Sequence, residues 1–181
     1  MYHHSLYTQV LSNPYLKPVE IVLLAGNVSI KTHPGEEVYV SGENMSDDNL
    51  MPFLHETTET IRIDRHSLFS LIRQMEMPNL IIYIPEKCDL SVLLRNGNLT
   101  LSGNFGQLRA RTDAGNISAD MTDFSVKGQA NLDVFAGEIK LVNSNPVDKK
   151  DERKKSLDMK IGDARLRARV SLGDIKMMMA G

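Results

Sequence analysis

The sequence predicts an all-β protein: a two-sheet β-solenoid or β-roll of nine-residue units, with an N-terminal β cap region and at most one short helix. Three observations carry that expectation. In "RNGNLTLSGNFGQLRARTDAGNISAD", Arg95 to Asp120, the glycines Gly97, Gly106 and Gly115 recur nine residues apart. Each is followed two positions later by an aliphatic residue, Leu99, Leu108 or Ile117. Within each unit apolar and polar residues then alternate, which is the period of a strand and not of a helix.

Residues 1–18, "MYHHSLYTQVLSNPYLKP", show no periodicity and carry two prolines, so an irregular N-terminal arm is expected. Residues 19–78 form an N-terminal β region that packs on the repeats. Its runs "VEIVLL", "NVSI", "EVYV" and "TIRIDR" are β-branched and short, and "AGN", "HPGE" and "SGENMSDDN" part them as turns. One helix is expected over His66 to Gln74, where Leu68, Leu71 and Ile72 have helical spacing.

Residues 79–181 carry the repeats. Unit openings fall at Asn79, Cys88, Gly97, Gly106 and Gly115, then, after a four-residue insertion in "ADMTDFSVKG", at Gly128, Gly137, Pro146, Lys155, Ala164 and Gly173. Two positions after the openings stand Ile81, Leu90, Leu99, Leu108, Ile117, Ala130, Ile139, Leu157, Leu166 and Ile175, all expected to point inward. Four positions after them, Tyr83, Val92, Leu101, Ala110, Ala119, Leu132, Leu141, Met159, Ala168 and Met177 are expected to do the same. The Pro146 unit fails, with Asp148 and Lys150 in those slots, so 143–156 reads as a loop.

A single unit cannot stand alone. Two or three buried aliphatic side chains contribute roughly 1.5–3 kcal/mol each, whereas ordering each backbone residue costs roughly 1–2 kcal/mol. Stacking is therefore required, in solenoid coils or, at the same period, in a meander of antiparallel hairpins for which "RNGN" is a fair turn. With two units per coil, one sheet takes the units opening at Cys88, Gly106, Gly128 and Ala164, and the other takes those at Asn79, Gly97, Gly115, Gly137, Lys155 and Gly173. Ile82, Ile84 and Leu93 then face outward, and the strands of 19–65 are expected to cover them. Three of the four N-x-[ST] triplets, at Asn27, Asn98 and Asn116, directly follow a glycine and read as turn chemistry.

"YIPEKCDLSVLLRNGNLTLSGNFGQLRARTDAGNIS", with the preceding "GNVSIKTHPGEEVYVSGE", resembles the putative-adhesin family of bacterial proteins and its G-[ND]-[ILV]-x-[ILV] repeats. The likeness covers roughly residues 19 to 142 and 157 to 177. It implies a β-solenoid and a cell-surface or envelope setting, and specifies no chemistry.

Composition narrows the function classes. The chain's 21 basic and 23 acidic residues leave a net charge of -2, which gives no global field for nucleic acid or an anionic membrane. No apolar run is long enough to span a bilayer. The single cysteine, Cys88, suits a reducing compartment, and a cytoplasmic location is the default expectation, with the cell surface or envelope in its place if the chain is a trimmed piece. Histidine spacing, glycine loops and acidic turns match no metal, phosphate or calcium motif, so neither cofactor nor catalytic residue is expected.

One local feature stands out. Arg109, Arg111, Arg165, Arg167 and Arg169 are expected on one outward face, with Asp133 between Arg111 and Arg169; the pattern reads first as a solvated sheet face with cross-strand ion pairs, and alternatively as a surface for an anionic polymer or an acidic protein partner. The expected function is a non-catalytic structural or binding module, adhesin-like, that self-associates through its C-terminal end, which another chain or the N-terminal arm would cover. The alternative is a polysaccharide-acting β-helix enzyme, for which Asp120 and Asp158 are the outward carboxylates on one sheet.

Overall fold

A computed structural model describes residues 7–43, 52–64, 78–120, 122, 129–143, 156–161, 164–172 and 175–179. Sixteen strands run through them in chain order. They are β1 (Tyr7–Ser12), β2 (Val19–Ala25), β3 (Asn27–His33), β4 (Glu37–Glu43), β5 (Phe53–Glu56), β6 (Ile61–Asp64), β7 (Asn79–Pro85) and β8 (Leu90–Asn96). There follow β9 (Leu99–Ser102), β10 (Leu108–Ala114), β11 (Ile117–Asp120), β12 (Gln129–Ala136), β13 (Ile139–Asn143), β14 (Ser156–Ile161), β15 (Ala164–Leu172) and β16 (Ile175–Met179). No helix occurs among the described residues; the helix expected over 66–74 lies outside them, as does most of the loop expected over 143–156.

The strands form two mixed eight-stranded sheets. The first has the order β1-β4-β7-β3-β9-β11-β13-β16, the second β14-β15-β12-β10-β8-β2-β6-β5. From β8 to β13 the chain alternates between them, and each strand pairs in parallel with the strand two elements on. Leu90 lies beside Leu108 and Leu99 beside Ile117, eighteen residues apart. Across the four-residue insertion the spacing becomes twenty-two, with Leu108 beside Ala130 and Ile117 beside Ile139.

Alternation along each strand sends one set of side chains into a single core. Leu90, Val92, Leu94, Leu99, Leu101, Leu108, Ala110, Ile117, Ala119, Ala130, Leu132, Ile139, Leu141, Leu166, Ala168 and Ile175 are all buried, as the frame requires. At one edge of the pair of sheets the corners are glycines with left-handed backbone. Gly97, Gly115 and Gly137 have φ of 129°, 136° and 146°. A Cβ on Gly115 would stand 1.8 Å from the Gly97 carbonyl oxygen, and one on Gly137 equally close to that of Gly115. No other residue type fits such an approach. Asparagines after these corners form a hydrogen-bonded ladder: Asn27 Nδ2 donates to Asn79 Oδ1, Asn98 Nδ2 to Asn27 Oδ1 and Asn116 Nδ2 to Asn98 Oδ1, each at 3.1 Å. The three sequons that follow a glycine thus serve the corner.

Four features differ from the sequence expectation. In β7 the buried residues are Leu80, Ile82 and Ile84, while Ile81 and Tyr83 stand half-exposed on the outside. Leu80 lies beside Val28, and Val28 beside Leu99, so β7 is one residue out of the frame, and a one-residue shift exchanges the two faces of a strand. The extra residue falls between Ile82 and Leu90, where Lys87 turns with φ of 62°.

Second, the strands of 19–64 extend the sheets sideways and do not lie over an outer face. β2 pairs beside β8, and β3 sits between β7 and β9. Leu93 gains its partial cover from in-sheet neighbours, lying beside Val22 and Arg111.

Third, β14 belongs to the second sheet, antiparallel to β15, and not to the first. Ala130 pairs with Leu166 and Ile139 with Ile175, a spacing of thirty-six, so two units instead of one leave the stack between them. Because that is twice eighteen, the frame count from Gly137 to Gly173 survives. Fourth, the arm expected to be irregular contributes β1, antiparallel to β4. It lies at the opposite edge of the first sheet from β16, so its described part does not cover the C-terminal end.

Cys88 is buried at a corner, where its Sγ donates to the Lys17 carbonyl (3.1 Å) and lies 3.8 Å from Asn13 Nδ2. Burial, helped by the neighbouring Asp89 charge, pushes the thiol up to about 11. A thiol so held stays protonated and out of reach. The native protein is therefore expected to resist iodoacetamide at neutral pH and to react only when denatured; stoichiometric alkylation of the folded chain would contradict this. A second test concerns Thr112, which sits fully buried between Leu94 and Val134 with no partner for its hydroxyl among the described residues. Thr112→Val is expected to raise stability by about 1 kcal/mol, read from chemical denaturation, because it removes an unsatisfied buried group.

Candidate functional site

The outer face of the second sheet is assembled by register. In β10, β12 and β15 the residues between the buried ones point to solvent, and the parallel pairing sets them in rows across the strands. One row runs Ser91, Arg109, Asn131, Arg167, Asp158. The next runs Leu93, Arg111, Asp133, Arg169, Ser156. Arg165 stands beside Gln129 at the strand entry. All five arginines expected on one face are brought together there, and Asp133 lies between Arg111 and Arg169.

Their electrostatic states differ. Arg165 holds Asp158 with two hydrogen bonds, Nε to Oδ1 at 2.8 Å and Nη2 to Oδ2 at 2.5 Å, and Arg167 Nε approaches the same carboxylate at 3.5 Å. Arg111 Nε donates to Asp113 Oδ1 at 3.1 Å. The Arg165 hydrogen bond holds the Asp158 carboxyl below its usual range, and the Arg95 hydrogen bond does so for Asp113. A depressed carboxyl keeps its pairing above the unfolded value and loses it only as pH falls through the depressed one, so these pairs persist through mildly acidic pH. All are solvent-facing and contribute little to stability. Arg109 and Arg169 have no ion pair with any described residue, and Asp133 has none with its two arginine neighbours.

Two residues of this face were missed by the sequence reading. Arg95, in β8, joins it through Asp113, eighteen residues on. The same spacing that placed Arg109 and Arg111 would have found it. Phe135, 54% exposed on β12, adds an apolar element at the margin.

The carboxylate pair considered for glycoside chemistry does not come together. Asp120 lies on β11 of the first sheet, where it accepts from Thr122, while Asp158 lies on β14 of the second, committed to two arginines. Two carboxylates must flank one glycosidic bond to cleave it, and opposite sheets forbid that. The expectation that they shared a sheet is corrected by the antiparallel return of β14. Among the described residues no group of three His, Cys, Asp or Glu side chains converges as a metal set. His33 instead packs edge-on against Tyr39 at 5.4 Å and Tyr83 at 6.3 Å.

No family model matches this sequence, and no curated protein matches it. Among solved structures it is similar to a putative cell adhesion protein from Clostridium sporogenes, at 10% identity and a TM-score of 0.56, over 98% of this chain and 100% of that one. A putative adhesin from Bacteroides fragilis aligns over 96% and 97% of the two chains at 11% identity and a TM-score of 0.33. A putative lipid binding protein from Parabacteroides distasonis aligns over 96% of each at 13% identity and 0.32. Only the first is near enough to bear on architecture, and it shows a shared fold.

Proposed function

We propose that this chain is a non-catalytic binding module, a β-solenoid whose arginine-bearing outer face contacts an anionic polymer. The solenoid reading is supported by the parallel registers of eighteen and twenty-two residues, carried by alternate strands into two sheets. The observation that carries the binding reading is the presence of Arg109 and Arg169 on an exposed sheet face with no described counter-ion. Arginine presents a planar fork of donors that sulfate, phosphate and carboxylate oxygens match in pairs. Carried on β10 and β15 with β12 between them, and so roughly 10 Å apart, such forks suit a chain of anions better than one small ion.

Retention on immobilised heparin measures this directly. Replacing Arg109 and Arg169 together by Glu is expected to weaken heparin binding at least tenfold, about 1.4 kcal/mol, with circular dichroism and thermal midpoint unchanged. Retention at unaltered salt in that variant would remove the face from the function.

Self-association belongs to the same proposal. Among the described strands β16 is the last of the first sheet, and an unpaired edge is a template for another chain. Light scattering on the intact chain is expected to give a mass above that of one copy, falling when a proline is placed in β16 at Met178; a monomer at all concentrations would contradict it.

A further inference from the structure

The outer face of the first sheet has a different chemistry, and it carries an inference beyond the anion-binding reading. Register places Ser41, Ile81, Ser29, Thr100 and Ser118 side by side across β4, β7, β3, β9 and β11. The asparagine ladder runs parallel to this row, two residues toward the strand starts. Between them lies an open depression of about 290 Å³ lined by Asn27, Ser29, Asn79, Ile81, Asn98 and Thr100. No charged side chain lines it. Two residues on from Ile81 and Ser41 stand Tyr83 and Tyr39, directly opposite each other and half-exposed. His33 packs edge-on against both rings, and is itself held by the Glu37 carbonyl at 2.7 Å and the Gly35 amide at 3.1 Å.

Hydrogen-bonding capacity is left over in this strip. The hydroxyls of Ser29, Ser41, Thr100 and Ser118 make no hydrogen bond with described residues. Each offers one donor and two acceptor sites. Within the ladder, Asn79 accepts from Asn27, and its own Nδ2 has no partner among the described residues. These groups are uncharged, both donating and accepting, repeated at the strand spacing, and they adjoin a braced aromatic shelf about 7 Å along the strands; the cations nearest in register stand outside the depression, Lys31 beside Tyr83 and Lys140 beside Ser118.

We propose that this strip is a binding site for a neutral oligosaccharide. A pyranose has two kinds of surface: equatorial hydroxyls that both donate and accept, and an apolar C–H face. The serine, threonine and asparagine rows meet the first, and the half-exposed rings of Tyr83 and Tyr39 meet the second, with little side-chain ordering because His33 already packs against both. A polyanion finds no cation in the depression. An extended peptide finds no unpaired backbone there, since β7, β3 and β9 are bonded on both sides.

Calorimetric titration of the full chain tests the site, with cellohexaose and chitohexaose as neutral probes and a heparin hexasaccharide as the anionic one. Saturable binding of at least one neutral probe at millimolar concentration is expected. Thr100→Val, an exposed change that keeps shape and removes the hydroxyl, and Tyr83→Ala should each weaken it by about tenfold. Thr100→Val decides the matter if Tyr83→Ala lowers the thermal midpoint. Replacing Arg109 and Arg169 by Glu should leave neutral binding untouched and reduce heparin binding alone, so failure of this site and failure of the arginine face are read separately. Absence of neutral binding, neutral binding that survives Thr100→Val, or neutral binding lost with the two arginines would each overturn the assignment.

Discussion

The close approach of successive backbones at one edge of the sheets is the constraint on which the rest of the structure depends. Gly97 N donates to the Ala114 carbonyl, Gly115 N to that of Ala136 and Gly137 N to that of Leu172, while each glycine Cα faces the carbonyl of the glycine in the preceding layer. Any side chain in that column would push two layers apart. Two layers held in contact at a corner have their strands held in parallel register, and register decides which residues enter the core. The insertion between Gly115 and Gly137 shows how strict this is. Four residues are added to the connection, and the column closes above them unchanged.

Parallel register also makes like residues neighbours, with opposite consequences on the two faces. On the first sheet, asparagine beside asparagine is favourable, because an amide both donates and accepts. On the second, arginine beside arginine would be destabilising. β12 resolves the conflict by setting Asn131 and Asp133 between the arginines of β10 and those of β15. β14 adds Asp158 on the far side of Arg165 and Arg167. One face consequently carries an uncharged, aromatic-edged strip, with Lys31 beside Tyr83 and Lys140 beside Ser118 at its margins, and the other is cationic and partly compensated. They are two outer faces of different chemistry on one scaffold.

Much of this was legible in the chain itself wherever the determinant is local. Glycine at a left-handed corner, an aliphatic residue two positions on, and a polar residue between inward ones are all short-range requirements, and they located the core residues from Leu90 to Ile175. The arginine face followed, because eighteen-residue spacing converts sequence distance into adjacency. Arg95 obeyed the same rule and was overlooked. The neutral strip was not legible, since half of it comes from β3, β4 and β7, which stand outside that spacing. Nothing local marks Ser29 as the neighbour of Thr100 or Tyr39 as the neighbour of Tyr83.

By itself the sequence determined the all-β class, the corners, the alternation within each strand and the pairing of strands eighteen residues apart, because glycine sterics and period-two burial act within a few residues. Tertiary structure alone decided that β3 enters between β7 and β9, that β7 runs one residue out of phase, that β14 returns antiparallel, and that β1 closes the opposite edge from β16. Those choices rest on hydrogen-bond ladders between segments such as Val28 and Leu99, seventy-one residues apart. For such pairings the free energy lies in the completed sheet and not in any stretch of chain that could announce it.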